Sequence, residues 1–227
     1  MQVFTSWSGG KDSCLACYQA IMSGLRVSHL LNMTTEDGKR SCWHGLRAEL
    51  VEAQSQAIGI PVVQRKTPMQ AYEREFISAV HELRNVGVEG GVFGDIDLEE
   101  HRGWVERVCK KTNIRPFLPL WGRDQTQILK RFIGLGFKAV IVAANAELFG
   151  EEWIGRELDS AFFAHLVNLQ ERVNLSVCGE AGEYHTLVVD GPLFKKRIEI
   201  LASSKVRRNG YHFLDIAKNR LRPKSVR

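Results

Sequence analysis

Short apolar runs alternate with stretches of helical periodicity along most of the chain. "QVFTSW", "VSHLLNMT", "PVVQRK", "GGVFGDI" and "KAVIVAA" read as strands. Several are almost continuously apolar, as strands covered on both faces are. The intervening segments read as helices with clear punctuation. Cys14, Cys17, Tyr18 and Ile21 share one face of a helix that Asp12 can cap and Gly24 can end. Leu46, Leu50, Ala53 and Ala57 recur at helical spacing up to Ile58, and Gly59 and Pro61 are stop signals. Tyr72, Phe76, Ala79, Val80 and Leu83 form the next stripe, ending at Gly87. Asp124 opens a helix with Ile128, Leu129, Phe132 and Ile133 on its apolar face, ending near Gly136.

This alternation predicts βαβ units, hence an α/β fold with a parallel sheet and helices on both faces. Ligands of such sheets bind beyond the carboxyl ends of the strands. The polar clusters fall there: "SGGKDS" after the first strand, "TTEDG" after the second, "GDIDLEEHR" after the fourth and "AANAE" after the last. Past about residue 146 the pattern changes. A helix follows Asp159, with Phe162, Phe163, Leu166 and Val167 inward. "LSVCGEAGEYHTLVVDGPLFKKRIEIL" then reads as strands broken by glycine turns. The expectation is a sheet domain over 1–145 and a smaller C-terminal α+β lobe over 146–227, set against the open end of the sheet.

Charge alters this picture only at one end. Residues 205–227 hold eight of the 31 Lys/Arg but one of the 26 acids, so the net +5 comes from the tail and the body is near neutral. The tail reads as a solvated or partly disordered end, or as a docking patch for nucleic acid or an acidic partner. Five scattered cysteines argue against a disulfide framework and for a reducing cytoplasm. Neither a secretion signal nor a membrane span is expected.

"SGGKDS" follows a strand and opens a helix, which is where backbone N–H groups and the helix dipole gather an anion. Gly9 and Gly10 permit positive φ and close approach, Lys11 brings charge, and Ser8 and Ser13 bring hydroxyls. Asp12 would repel phosphate, so it is expected either to cap the helix or to meet a Mg²⁺ carried on the phosphates. The GxxxxGK[ST] and GxGxxG patterns are both absent. Cys14 and Cys17 raise sulfur transfer, but their shared apolar face favours packing. Among the other polar residues, His44, His101 and His185 are candidates for substrate contact or proton transfer. Arg123 and Arg156 can grip a phosphate or carboxylate, or pair with Asp124 and Glu157. Asp95 can bind a cation or cap a helix.

The hexapeptide resembles the signature of the ATP pyrophosphatases, the PP-loop branch of the adenine nucleotide alpha-hydrolase superfamily (HUP). "QAIGIP", "LWGRDQ", "LGFKAVIV", "IGRELD" and "GEAGEYHTLVVDGPLFKKRIEI" resemble, in order, segments of the diphthine–ammonia ligase family. The resemblance implies an ATP-binding sheet domain and a smaller lobe whose Glu-x-Gly-Glu motif closes over the substrate. It implies activation of a carboxylate as an acyl-adenylate, release of pyrophosphate, and displacement of AMP by ammonia. ATP and Mg²⁺ are the expected cofactors. The ATP and pyrophosphate set is Ser8, Gly9, Gly10, Lys11, Asp12, Ser13, Met33 and Gly94, with Lys11, Glu180 and Glu183 catalytic. His44, Asp95, Arg123, Tyr184, His185 and Thr186 are expected at the acceptor, either protein-borne diphthine or a small metabolite.

The chain departs from the family pattern at Asp95, Ala181 and His185. A related subgroup of unassigned substrate, suspected of roles in corrinoid salvage, carries a similar version. Alternatives therefore include a ligase for a small carboxylate, a non-catalytic nucleotide-binding regulator, and a tRNA-modifying enzyme for which no added RNA-binding domain is visible. No membrane or nucleic-acid partner is expected, and a homodimer is compatible with the sequence.

Overall fold

The computed structural model describes residues 1–42 and 44–224. Two compact units divide the chain, Met1–Gly122 and Arg123–Arg227.

The first unit contains a five-stranded parallel sheet in the order β3-β2-β1-β4-β5. Its strands are β1 (Gln2–Ser6), β2 (Arg26–Thr34), β3 (Val62–Lys66), β4 (Gly90–Val92) and β5 (Arg115–Phe117). Helices α1 (Lys11–Met22), α2 (Ala48–Ile58), α3 (Tyr72–Asn85) and α4 (Glu99–Thr112) make the crossovers. β1 lies at the centre with both flanks paired, in register Val3–Val27 to β2 and Val3–Gly90 to β4. The chain winds outward through β2 and β3, then returns to lay β4 on the other side of β1. The carboxyl ends of β1 and β4 therefore flank the switch point, the preferred ligand crevice of open α/β sheets. One core cluster joins Phe4, Leu31, Met33 and Phe93 of the sheet region to Phe76, Val80 and Leu83 of α3 and Val105 and Val108 of α4. Phe4 meets Phe76 and Phe93 edge-on, at 6.1 and 5.9 Å between ring centres. α2 stops as its sequence suggests, at Gly59 with φ 83°.

The second unit carries a four-stranded antiparallel sheet in the order β7-β6-β9-β8. Its elements are α5 (Gln125–Gly134), β6 (Lys138–Asn145), α6 (Ser160–Gln170), β7 (Tyr184–Asp190), β8 (Lys196–Arg208) and β9 (Tyr211–Pro223). Asp124 and Asp159 cap α5 and α6 through their side chains. Among the described residues, no helix is long and apolar enough to cross a membrane.

Three expectations need correction. "KAVIVAA" is β6 of the antiparallel sheet, not the last parallel strand, and the parallel sheet is completed instead by the three residues of β5. The change of pattern is expected near residue 146, whereas the chain divides into its compact units at 122/123, ahead of α5 and β6. The basic end is not a loose tail as far as Lys224: residues 205–208 belong to β8 and 211–223 to β9. β8 is an edge strand, and residues 201–208 are all exposed.

Candidate functional site

The loop between β1 and α1 is built around a single left-handed residue. Gly9 has φ 85°, while Gly10 is extended at φ −87° and ψ 177°, so only the first glycine is required by backbone sign. A Cβ at Gly9 would also meet Gln54 Oε1 at 2.8 Å. Gly10 is the N-cap of α1, without a side-chain cap. The Gly10 N–H points at Ser8 Oγ at 3.3 Å. Ser13 Oγ donates to the Gly10 carbonyl at 3.1 Å and lies 3.2 Å from Ser8 Oγ. Two hydroxyls and the open first turn of a helix thus share one small region, the arrangement that receives an anion.

Lys11 is 4% exposed, unusual for a lysine, and its Nζ donates to Asp12 Oδ2 at 2.7 Å. Asp12 is therefore the lysine's partner, not the expected helix cap. Burial pushes its carboxyl above the usual carboxylate range, against the pull of Lys11, and the negative charge of Asp95 adds to the rise. Asp12 Oδ1 is buried with no hydrogen-bond partner. Among the described residues no cluster of three His, Cys, Asp or Glu is gathered for a metal. Mg²⁺ does not need one, since it keeps its waters and takes one or two carboxylates together with substrate phosphates. The unengaged Asp12 oxygen fits that mode.

Gly94 brings the β4 loop against this helix start. A Cβ there would lie 2.8 Å from both the Asp12 carbonyl carbon and the Ser13 nitrogen, so the backbones touch. Asp95 follows, 3.3 Å from His101 Nδ1 on α4, and it does not cap that helix, whose N-cap is Leu98. Loop and β4 end converge as the sequence implied. Met33 does not join them through its side chain, which is buried in the core cluster beside Phe4. His44 lies in the turn between β2 and α2. Cys14 and Cys17 are core residues. Burial pushes both thiols up, Cys17 to about 12, so neither supplies a thiolate.

The sequence reading missed Gln54. It sits on α2 with no exposed surface. Its Nε2 donates to the Gly9 carbonyl at 2.8 Å, and its Oε1 accepts from Trp7 Nε1 at 2.9 Å. The available signal was a glutamine on a helix face otherwise made of Leu50, Val51, Ala53 and Ala57.

The second unit contains the acidic turn. Glu183 is 6% exposed, and its two oxygens accept from the Ser176 N–H at 2.6 Å and the Ala181 N–H at 3.0 Å. The carboxylate closes its own loop. Gly179 and Gly182, with φ 74° and 87°, allow the turn. Gln125, also missed, ties the loop to α5 by accepting from Ser176 Oγ at 2.9 Å and the Cys178 N–H at 2.8 Å. Glu180 is half-buried, its N–H donating to Ser176 Oγ at 2.9 Å. Tyr184 is core: its hydroxyl donates to the Val177 carbonyl at 2.8 Å and its ring meets Phe162 edge-on at 5.3 Å. Thr186 is buried and His185, between them, is partly exposed. Arg123 is exposed ahead of α5. Arg156 lies over the Trp153 ring at 4.6 Å, while Glu157 pairs with Lys138.

Comparison with known proteins matches both parts of the chain. Residues 1–116 match the family described as "Diphthamide synthase N-terminal domain", and residues 124–221 match "Diphthamide synthase C-terminal domain". Proteins named diphthine–ammonia ligase are similar along nearly the whole chain. The one from Danio rerio is 30% identical, with 91% of this chain and 89% of that protein covered. Those from Mus musculus and Homo sapiens are 28% and 29% identical, covering 97% and 96% of this chain and 91% and 89% of theirs. A solved structure described as a predicted subunit of tRNA methyltransferase, from Methanocaldococcus jannaschii, gives a TM-score of 0.46 at 16% identity, covering 85% of this chain and 98% of that one. That likeness is too slight to bear on activity.

Proposed function

This chain belongs to the diphthamide synthase family, matched in both of its domains, and on that premise we propose that it is an ATP-dependent ligase that adenylates a diphthine-like carboxylate and amidates it with ammonia. The observation that carries the reading is the buried Lys11 at the start of α1, beside the β1–β4 switch point. A positive charge desolvated next to open helix N–H groups suits the developing charge on a leaving pyrophosphate. The relatives' shared name supports the acceptor class.

In this reading an oxygen of the acceptor carboxylate attacks the α-phosphorus. The bond from that phosphorus to the bridging oxygen breaks, and the electron pair leaves on pyrophosphate. Ammonia then attacks the acyl carbon, AMP departs with the carboxylate oxygen, and a proton is lost from nitrogen. The substrate is the nucleophile, so the chain's work is alignment, charge stabilisation and exclusion of water. Lys11, the Gly10 N–H and the hydroxyls of Ser8 and Ser13 hold the phosphates. Asp12 is the residue that would hold Mg²⁺, and the ion would supply further neutralisation of the phosphate charge. Of the two turn carboxylates, Glu183 shapes the loop, and Glu180 is the proposed proton acceptor for ammonia. His44, Asp95, Arg123 and His185 remain the proposed acceptor contacts, and five free cysteines suit a reducing cytoplasm.

The test is release of AMP and pyrophosphate from ATP, Mg²⁺, ammonia and a diphthine-bearing acceptor protein. The expected result is equal amounts of both, with Lys11→Ala lowering kcat/KM by about 10²-fold. Turnover only with small carboxylates would replace the acceptor. Tight ATP binding with no turnover on any acceptor would make the chain a nucleotide-binding regulator and overturn the ligase reading.

A further inference from the structure

We propose that Gln54 is a latch that sets the polarity of the phosphate loop, a positioning residue for ATP that never touches it. The inference rests on the phosphate-loop reading above.

The peptide plane between Gly9 and Gly10 carries one acceptor and one donor. In a trans peptide the C=O and N–H point in opposite directions. Gln54 Nε2 holds the Gly9 carbonyl toward α2 at 2.8 Å. The Gly10 N–H of the same plane therefore points away from α2, to the side where Ser8 Oγ accepts it at 3.3 Å. This is the side an anion would use. Gly9 and Gly10 carry no Cβ to oppose rotation of the plane between them, so the sequence that permits close approach also permits the plane to turn over. A flipped plane would present a carbonyl oxygen to phosphate in place of a donor.

Gln54 is suited to prevent this because it is itself fixed. It is fully buried, and its Oε1 is held by the indole N–H of Trp7 at 2.9 Å, one residue beyond the end of β1. The Trp7 contact decides which end of the amide faces Gly9, since an indole N–H only donates. The NH₂ must then face the carbonyl. Trp7, Gln54 and Gly9 thus form a directional chain, strand end to helix to loop, and every link is a hydrogen bond in a buried setting, where an unmade partner costs most. The same contact explains why no other residue fits at Gly9: a Cβ would strike Gln54 Oε1 at 2.8 Å and Leu46 Cδ1 at 3.1 Å.

Substitution separates the two ends of the latch. In Gln54→Glu the side chain keeps its shape and can still accept from Trp7, but an ionised carboxyl has no donor for the Gly9 carbonyl. Protonation restores that donor. Gln54→Leu removes both contacts at any pH. The experiment is equilibrium binding of ATP, pyrophosphate and adenosine to the full chain and to these variants, across pH, with thermal melting alongside and Lys11→Ala as reference. For Gln54→Glu at neutral pH we expect ATP and pyrophosphate to bind about ten-fold more weakly, one buried hydrogen bond's worth of preference, and adenosine to bind as before. Relative to the unsubstituted chain, its ATP affinity should recover as pH is lowered, while that of Gln54→Leu should not. Unchanged ATP affinity in Gln54→Glu with a clear loss in Lys11→Ala would overturn the latch and keep the phosphate loop. No loss in either variant would overturn both. An equal loss for all three ligands, tracking a fall in melting temperature, would make Gln54 ordinary core support and overturn the latch as well.

Discussion

Tyr184 and Glu183 are adjacent in a motif that reads as catalytic, and both make hydrogen bonds that hold the chain. Tyr184 is 1% exposed, with its hydroxyl on the Val177 carbonyl. Tyr184→Phe is expected to lower stability by about 1 kcal/mol, the worth of one buried hydrogen bond, and to leave turnover unchanged. A changed acceptor KM at an unchanged melting temperature would return Tyr184 to the substrate. The identity of these residues was legible in "GEAGEYHT", but their direction was not. Strand alternation offered part of the answer, since Tyr184 and Thr186 share the inward face of β7 and His185 takes the other. Nothing local could show that Glu183 turns back on the N–H groups of Ser176 and Ala181, because that depends on the loop closing on itself. Asp12 is a similar case. Its sequence position suits a cap, but the buried ammonium of Lys11 competes for the same carboxylate and prevails.

Between elements, a charged tie runs from α3 to α4. Glu73 accepts from Arg107 Nη2 at 3.0 Å and Lys111 Nζ at 2.7 Å. These bonds hold the Glu73 carboxyl down to about 2, from an ordinary 4.5. A depressed carboxylate stabilises the fold above its unfolded value, and that contribution drains away as pH falls from about 4.5 through about 2. Partial exposure limits it to about 1 kcal/mol. Glu73→Gln should therefore lower stability at pH 7 by about that amount and flatten this part of the acid unfolding curve. A full acid response in the variant would place the titration elsewhere. Helices with strong apolar stripes and aspartate caps, α5 and α6 above all, were legible from sequence. β5 was not, because three residues including Pro116 carry no periodicity. β6 was legible as a strand, but an apolar run buried on both faces looks the same in parallel and antiparallel sheets.

For the molecule as a whole, the least legible feature was the carboxyl-terminal part, where composition suggested solvation and the chain instead forms a ribbon of two thirteen-residue strands. Its basic residues are partly neutralised from within: Arg220 and Arg222 both donate to Glu199 Oε2, and Lys224 pairs with Asp190. Limited trypsin digestion of the native protein should spare Lys218 and Arg220, although both are exposed. Rapid cleavage at them would mean a loose tail after all. The exposed edge of β8 has one more consequence. The side of β8 that faces away from β9, over residues 201–208, is a template on which like chains can grow side by side. Lys205, Arg207 and Arg208 sit on that stretch, so two copies brought edge to edge would repel. The charge that suggested a binding tail is then also a guard against fibre formation, and strong salt or a polyanion, by screening it, would lift the guard.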